Sequence, residues 1–111
     1  MFKSDPVTEL YARTAQALTI QAGNLGLEGG VFLFELEPAS ELARAGLRAG
    51  DLIVAYAGRP SSDLVELTDT LASLPVGRSV QVDFLRFEQG GFERRRVTVR
   101  HGQLGAGLMP I

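Results

Sequence analysis

One stretch near the middle of the chain restricts the fold more than any other. It runs from Gly30 to Pro60 and begins with the apolar run GVFLF. That run is too short for a helix and suits a strand that is buried on both faces. Pro38 ends the strand, because proline has no N–H to give to a ladder. Alternate side chains of a strand point to opposite faces. We therefore expect Val31, Leu33 and Glu35 on one face and Phe32, Phe34 and Leu36 on the other.

A short helix and a second buried strand follow in the same stretch. Ser40 is placed to cap the segment ELARAGL. Gly46 is expected to end that helix, since a residue with a positive φ is least strained as glycine. Gly50 and Asp51 then turn the chain into DLIVAYAG, and a turn from Gly58 to Pro60 closes this strand. The stretch therefore predicts a strand, a helix and a strand in immediate succession.

The whole chain has the size and composition of one folded domain. Its 111 residues fit a single domain, and 45% hydrophobic residues are enough for a core. The sequence has no cysteine, which excludes disulfides and thiolate chemistry. One histidine and no cysteine also offer no zinc cluster. We expect no cofactor and no metal.

The charge balance argues against nucleic acid and membrane partners. Eleven basic and 13 acidic side chains give a net charge of −2, which is too balanced for a protein that binds nucleic acid or a membrane surface. No apolar run approaches the roughly 18 residues of a membrane span. The first ten residues lack the apolar core of a signal peptide. We expect a cytoplasmic location if the parent protein has no signal peptide, and the location is otherwise left open.

The N-terminal part predicts a helix that the central stretch does not require. Apolar residues recur at three- and four-residue spacing, so we predict a helix from Pro6 to about Leu18, entered through Ser4-Asp5. Thr19 to Ala22 are expected to form a short strand. We divide the chain into a helix and linker, residues 1–22, and a folded domain, residues 23–111.

The second half of the chain predicts one helix and two paired strands. Ser61 to Asp63 form a capping cluster, and leucines at helical spacing predict a helix from Leu64 to Leu74. The helix ends there because a proline follows. Val80 to Leu85 alternates as a strand, and a glycine-rich turn leads into a returning strand from Phe92 to Arg100.

The residue types that carry chemistry do not form a reactive cluster. His101 lies at the predicted end of a strand and is interpreted as a solvated turn histidine; no G-x-S-x-G elbow accompanies it. Arg94 to Arg96 are interpreted as a solvated hairpin face. Asp51 and Asp63 occupy turn and cap positions and need no catalytic explanation. We expect that the chain is not an enzyme.

Glycines and apolar residues of the central stretch carry a family resemblance. They form the pattern AGL-x-x-GD-x-I with a closing G-x-P: Gly30-Val31, Pro38, Ser40, Ala45-Gly46-Leu47, Gly50-Asp51, Ile53 and Gly58. This pattern resembles the PDZ domain in its bacterial, HtrA-like and circularly permuted form. The resemblance implies an α+β fold, with a small curled antiparallel sheet of five or six strands, two core helices and the extra N-terminal helix.

The resemblance also implies a loop that holds a ligand's terminal carboxylate. PDZ domains use the pattern x-Φ-G-Φ, whose backbone N–H groups form a small anion nest. Gln103-Leu104-Gly105-Ala106 fits it, and Gly107 to Ile111 would then be the strand that pairs with the ligand. Asn24-Leu25-Gly26-Leu27 fits as well. It leaves only Glu28 to Gly30 before the next strand, too little for a ligand-pairing strand at about 3.3 Å per residue. We favour the C-terminal loop and keep the other as an alternative.

The implied function is recognition of an extended peptide, often a C-terminus, by strand addition. The peptide would lie between the Gly107–Ile111 strand and the Leu64–Leu74 helix. Its partner would be a protein or peptide C-terminus, or a neighbouring domain of the same chain. The residues expected to bind it border the last side chain's pocket or line the groove upstream: Gln103, Leu104, Gly105, Ala106, Gly107, Leu108 and Leu71, then Leu64 and Thr68.

Two other roles stay open at this point. Bacterial PDZ domains of this kind are usually appended to proteases, both HtrA-type serine proteases and caspase-like CHAT peptidases. The chain would then be a regulatory or docking domain of a multidomain protease. Alternatively it is a structural spacer that binds no free peptide, a role that the N-terminal helix would suit.

Overall fold

The computed structural model describes residues 6–27 and 29–111. Within them, three helices alternate with six strands in an α+β order. The helices are α1 (Pro6–Leu25), α2 (Glu41–Arg44) and α3 (Leu64–Ser73). The strands are β1 (Val31–Leu36), β2 (Leu52–Tyr56), β3 (Arg59–Pro60), β4 (Ser79–Glu88), β5 (Gly91–Arg100) and β6 (Ala106–Pro110).

All six strands belong to one antiparallel sheet. Its order is β5-β4-β2-β1-β6, and β3 pairs with β2 beside this path. The last strand of the chain thus lies at the sheet edge, next to the first. The predicted fold class, with two core helices and an additional N-terminal helix, is confirmed.

The sheet has an inner face, which packs against α2 and α3, and an outer face, which packs against α1. The inner core contains side chains from both helices and from five strand or loop segments: Val31, Leu33, Leu42, Leu47, Ile53, Tyr56, Leu67, Val80, Val82, Phe84 and Val99. The outer core is smaller and contains Leu18, Phe32, Leu52, Val54 and Leu85. Residues 31–33 are wholly buried because each of their side chains meets one of these cores.

The predicted alternation of side chains fails in the second half of β1. The pairing with β6 shifts between Leu33 and Glu35, which is a β-bulge at Phe34. Because the bulge adds a residue, Leu36 packs against the inner core with Leu33 and not against the outer core with Phe32. The prediction that Leu36 shares a face with Phe32 is therefore wrong.

The N-terminal helix is longer than the sequence predicts. It continues from Pro6 through Leu25, so the short strand expected at Thr19 to Ala22 is wrong. Leu18 is buried in the outer core, and Leu25, further along the same helix, packs against that core. These contacts extend the helix along the sheet. The expected cap at Ser4-Asp5 lies outside the described residues. The division of the chain at residue 22 stays a prediction.

A buried ion pair holds the connection between α2 and β2. The Asp51 carboxylate accepts hydrogen bonds from Arg86 Nε and Nη2, at 2.9 and 2.8 Å, and from the backbone N–H of Arg48 at 2.9 Å. Arg86 Nη2 also donates to the Gly46 carbonyl at 2.8 Å. The hydrogen bonds from Arg86 to Asp51 raise the pKa of that guanidinium. Asp51 is thus more than a turn residue, because it fixes the loop to β4.

A second buried contact fixes α3 to the sheet and corrects the interpretation of His101. The ring is only 5% exposed, so it is not a solvated turn histidine. Its Nε2 lies 3.0 Å from the Leu71 carbonyl of α3 and its Nδ1 lies 2.8 Å from the Tyr56 hydroxyl of β2. A carbonyl only accepts, so Nε2 donates to the Leu71 carbonyl, and with the proton on Nε2 the Nδ1 atom is placed to accept from the Tyr56 hydroxyl.

The end of α2 makes a direct test of the backbone geometry. Gly46 follows the helix with a φ of 111°, and a Cβ added there would meet no atom within 4 Å. We expect Gly46→Val to lower the free energy of unfolding by about 1–3 kcal/mol, from backbone strain alone. Gly91→Val is the matched control, because Gly91 also has open space but no positive φ. Equal losses in urea denaturation of the two variants would contradict this explanation.

The Tyr56–His101 contact predicts a pH-dependent stability. Burial raises the pKa of Tyr56 to about 12, whereas an unfolded tyrosine ionises near pH 10. The folded state therefore holds this proton more tightly, so Tyr56 contributes its full stability below about pH 10 and loses it as the pH rises towards 12. Tyr56→Phe should cost about 1–3 kcal/mol at pH 7, because His101 loses a buried donor, and should show a shallower alkaline decline. Urea denaturation from pH 7 to 11 measures both, with Tyr11→Phe as control; an unchanged alkaline slope in Tyr56→Phe would contradict the assignment.

Candidate functional site

The edge strand β6 turns unpaired backbone groups away from the sheet. In β1, the Leu33 N–H donates to the Asp51 carbonyl at 2.9 Å, and the Leu33 carbonyl accepts from the Gly50 N–H at 2.6 Å. The Leu33 backbone therefore points away from β6, although Leu33 stands opposite Leu108. Such a pair is not hydrogen-bonded. The N–H and the carbonyl of Leu108 consequently point away from β1, towards the free edge.

The same orientation applies to every second residue of β6, that is to Ala106 and Pro110. Pro110 offers no N–H at the edge, and its carbonyl accepts a hydrogen bond from the Tyr11 hydroxyl of α1 at 2.6 Å. No other strand of the described residues pairs with this edge. The open main-chain groups at the edge are therefore those of Ala106 and Leu108.

A glycine loop precedes β6. Gly105 has a φ of 61°, and its carbonyl accepts from the Glu37 N–H at 2.8 Å, which joins the loop to the end of β1. A Cβ added at Gly105 would lie 3.0 Å from Ser40 Cβ and 3.2 Å from Glu37 Oε2. Gln103 is exposed, and Leu104 is half-buried against the inner core. The loop is therefore held by glycine conformation and by close packing on the turn after β1.

The free edge of β6 and the loop lie beside α3, around an open cleft of about 560 Å³. Leu104, Ala106 and Leu108 are half-buried on the inner face. The cleft is lined by Leu71 of α3, by two glutamates and by the loop and strand residues: Glu35, Glu37, Gln103, Leu104, Gly105, Ala106, Gly107 and Leu108. Seven of the nine predicted site residues thus surround one cleft.

The other two predicted residues lie further along α3. Leu64, at the start of the helix, is half-buried against the inner core. Thr68 is exposed, and its hydroxyl donates to the Leu64 carbonyl at 2.9 Å. Neither lines the cleft around the loop. They lie on the same helix as Leu71, towards its N-terminal end.

The cleft carries negative charge that sequence reasoning missed. Glu35 and Glu37 line it, and none of the described residues that line it is basic. Both glutamates follow the bulge in β1, which changes the phase of the strand at this point. A period-two pattern in β1 therefore does not predict that these two residues line the cleft.

The alternative loop, Asn24 to Leu27, is built differently. Asn24 and Leu25 belong to the last turn of α1, and Gly26 ends that helix with a φ of 69°. Leu27 packs against the outer core. No strand begins between Gly26 and β1 among the described residues, which include all of this segment except position 28.

A polar cleft of about 570 Å³ adjoins the alternative loop on the outer face. It contains Asp83, whose carboxylate accepts from Arg96 Nε at 2.6 Å and from Arg94 Nη2 at 2.9 Å. The hydrogen bond from Arg96, followed by that from Arg94, lowers the pKa of Asp83 against the opposing effect of burial. Two of the arginines interpreted as a solvated hairpin face therefore neutralise a buried carboxylate.

The sequence is similar to segments of bacterial proteases, whereas no protein-family model matches it. It is 33% identical over 79 residues, 71% of the chain, to the periplasmic serine endoprotease DegP of Salmonella typhimurium. It is 42% identical over 71 residues, 64% of the chain, to the magnetosome formation protease MamE of Magnetospirillum gryphiswaldense. The matched segments are 16% of DegP and 9% of MamE, so the chain corresponds to a small part of either protease.

The expected cytoplasmic location is wrong. DegP and the pH-dependent serine endoprotease DegQ of Escherichia coli, 35% identical over 79 residues, are both named as periplasmic proteases. These relatives point to a periplasmic parent protein. Within the described residues, no helix combines the length and the apolar character needed to cross a membrane.

Solved structures with the same fold identify the architecture. The PDZ domain of an SdrC-like protein from Listeria monocytogenes superposes with a TM-score of 0.59 at 22% identity, over 71% of this chain and 86% of that one. The HtrA3 PDZ domain bound to the phage-derived ligand FGRWV superposes with a TM-score of 0.52 at 20% identity, over 86% and 77%. The chain is therefore a PDZ domain by its fold and HtrA-like by its sequence.

Proposed function

We propose that this domain binds an extended peptide by strand addition at the free edge of β6, in the groove between β6 and α3. The observation that carries the proposal is the orientation of the Ala106 and Leu108 backbone, which leaves unpaired donors and acceptors at a sheet edge beside a helix. An added strand takes its affinity from such main-chain groups and its specificity from the side-chain pockets beside them. PDZ domains of HtrA proteases are peptide-binding modules, and the HtrA3 domain was solved with a peptide ligand.

The loop from Gln103 to Gly105 receives the ligand's end in this proposal. Its backbone N–H groups form the anion nest. A ligand whose terminus lies in this nest runs antiparallel to β6, which continues from the loop. Leu104, Ala106 and Leu71 border the pocket for the last side chain, because all three are half-buried around the same end of the cleft. Leu64 and Thr68 line the groove upstream.

The glutamates of the cleft affect which kind of peptide the cleft can bind. Glu37 Oε2 lies next to Gly105, and no basic side chain of the described residues lines the cleft to offset a ligand carboxylate. The nest therefore acts through main-chain dipoles alone, against the repulsion of two acidic side chains. An internal extended segment, which brings no terminal charge, is accommodated by the same ladder.

The geometry supports the C-terminal loop over the alternative at Asn24 to Leu27. The C-terminal loop runs directly into an edge strand, whereas Asn24 and Leu25 are part of a helix. A ligand at Gly26 would find two arginines, but both already bind Asp83. It would also find no strand edge that continues from the loop.

A second role is favoured by the relatives, which are proteases of which this chain matches a small part. In that role the same groove docks a segment of the parent protease or of its substrate and so regulates a catalytic domain elsewhere. The PDZ domains that share this fold are non-catalytic, and we propose the same for this chain. The peptides that the domain selects from a library decide whether the bound segment belongs to the same protein or to another.

The strand-addition mechanism predicts a difference between two substitutions at one position. Leu108→Ala removes a half-buried side chain, whereas Leu108→Pro also removes the N–H at the free edge and leaves the hydrogen bonds to β1 intact. Using peptides selected from a library of free C-terminal heptapeptides, we expect Leu108→Pro to bind about threefold to tenfold more weakly than Leu108→Ala, the worth of one hydrogen bond. Calorimetric titration measures both. Equal affinities would contradict strand addition at β6.

The choice between the two loops is tested by a pair of glycine substitutions that are matched in backbone conformation. Gly105 and Gly26 both have a positive φ, 61° and 69°, so alanine costs similar backbone strain at either position. We expect Gly105→Ala to weaken binding of the selected peptides at least tenfold, because its methyl group would press on Ser40 and Glu37 and shift the loop. We expect Gly26→Ala, whose methyl group meets no atom within 4 Å, to leave binding unchanged. The opposite pattern would place the ligand at the N-terminal loop. Melting temperatures of both variants control for loss of fold.

A further inference from the structure

The sheet has a second free edge, which is formed by β5. No strand of the described residues pairs with β5 on the side away from β4. The strand has ten residues, twice the length of β6, and six of its side chains are exposed. The sheet therefore offers a longer open edge at β5 than at the proposed groove.

The pairing with β4 decides which backbone groups of β5 face this edge. The Gln81 carbonyl of β4 accepts from the Ala57 N–H at 2.8 Å, on the side of β2. Gln81 stands opposite Thr98, so this pair is not hydrogen-bonded, and the N–H and carbonyl of Thr98 point away from β4. The register continues without a shift along both strands, so every second residue of β5 has this orientation. The residues concerned are Phe92, Arg94, Arg96, Thr98 and Arg100.

The same five residues place positive charge on the outer face of the sheet. Val97 and Val99 pack against the inner core, whereas Phe92 packs against the outer core. Because side chains alternate along a strand, the residues whose backbone faces the edge project to the outer face. Three of them are exposed arginines: Arg94, Arg96 and Arg100.

Asp83 offsets only part of this charge. It accepts hydrogen bonds from Arg94 and Arg96, yet the side chains of these arginines stay 52% and 60% exposed. Two guanidinium groups thus share one carboxylate, and Arg100 forms no ion pair within the described part of the chain. The outer side of the β5 edge is therefore positively charged.

We propose that the free edge of β5 is a second docking site, which binds an extended acidic segment of a partner protein by strand addition. An added strand forms a main-chain ladder with the open groups of β5 and places every second side chain on the outer face. Aspartate or glutamate at alternate positions then stands opposite Arg94, Arg96 and Arg100. Opposite charges on directly facing residues stabilise such a pair of strands.

The charge of the β5 edge selects among the occupants that an open edge can take. Pairing with β5 of a second copy brings the arginines of the two copies together on one face, and like charges destabilise that arrangement. The groove at β6 has the opposite preference, because Glu35 and Glu37 line it and none of its described lining residues is basic. An acidic segment is therefore repelled at β6 and attracted at β5, so the two edges can hold different partners at the same time.

The test begins with peptides that have no free terminus. Libraries of heptapeptides fused at both ends are selected on the whole chain, and we expect enrichment of Asp or Glu at alternate positions. Replacing these acidic residues by Ser in a selected peptide should weaken binding at least tenfold at low ionic strength, and the difference should shrink in high salt. Selected peptides without alternating acidic residues would overturn the β5 site and leave the proposed function at β6 standing. Failure to select any peptide from this library would overturn the β5 site as well.

Two substitutions at one exposed position locate the binding. Thr98→Pro removes the N–H at the free edge and leaves the hydrogen bonds to β4 intact, whereas Thr98→Ala keeps that N–H. In calorimetric titration, the acidic peptide should bind Thr98→Pro about threefold to tenfold more weakly than Thr98→Ala, the worth of one hydrogen bond. Peptides selected for the β6 groove should bind both variants equally and should not displace the acidic peptide. Equal affinities of the acidic peptide for the two variants would overturn strand addition at β5.

Arg100→Gln tests the charge without a change of the backbone. Arg100 is exposed and has no ion pair among the described residues, so the melting temperature should be unchanged. Binding of the acidic peptide should weaken about twofold to fivefold at low salt. An unchanged affinity would overturn the role of the arginines.

The other occupants of the edge give different results. Sedimentation of the chain should show a monomer; a dimer that Thr98→Pro dissociates would put a second copy in place of the acidic segment. Vesicles of phosphatidylserine and phosphatidylcholine should not displace the acidic peptide. Displacement by vesicles whose binding depends on Arg100 but not on the N–H of residue 98 would assign the arginines to a membrane surface.

Discussion

The groove depends on one buried histidine. His101 bonds the Tyr56 hydroxyl on a central strand and the Leu71 carbonyl on α3, and it stands directly before the glycine loop. Three parts of the cleft, the sheet, the helix and the loop, are therefore positioned by a single ring. The Leu71 carbonyl lies in the last turn of α3, and the residue four positions on is Pro75, which has no N–H. The His101 ring therefore supplies the donor that the end of the helix lacks.

The second determinant is the way in which the sheet is closed. β1 receives β2 on one side and β6 on the other, and its hydrogen bonds alternate between them. This alternation decides which groups of β6 remain open. The buried Asp51–Arg86 pair holds the loop in which the Gly50 N–H and the Asp51 carbonyl bond to the backbone of Leu33. These bonds lie on the side of β1 opposite β6, and they fix the orientation in which β1 meets β6.

Local patterns predicted most of the fold, and long-range contacts account for the errors. Strand alternation, caps and glycine stops are sufficient to place β1 and α3, because each of these is specified within about ten residues of sequence, whereas β6 follows only from the family resemblance. The bulge at Phe34 depends on pairing with β6, some seventy residues away, and period-two alternation cannot contain it. The last part of α1 includes Thr19 and Ile20, which favour a strand by propensity, but packing of Leu18 and Leu25 on the sheet prevails.

The candidate site was predicted in part for the same reason. A glycine loop followed by a strand is visible in sequence, and so is the leucine face of a helix. The interpretation of His101 as a solvated residue fails because the sequence places it at a strand end, although it continues the inner-face alternation of Val97 and Val99. The glutamates of the cleft and the contact of α1 with β6 arise only when β1, β6 and the first helix are brought together.

The position of β6 has a consequence for how the chain is made. Val31 pairs with Pro110, so β1 is synthesised long before its second neighbour exists. At roughly 5–20 residues per second, the ribosome needs several seconds to reach β6. Throughout that interval β1 can pair with β2 but presents an open edge on its other side. The nascent domain therefore passes through a stage in which the edge of β1 is open to strand addition by other chains.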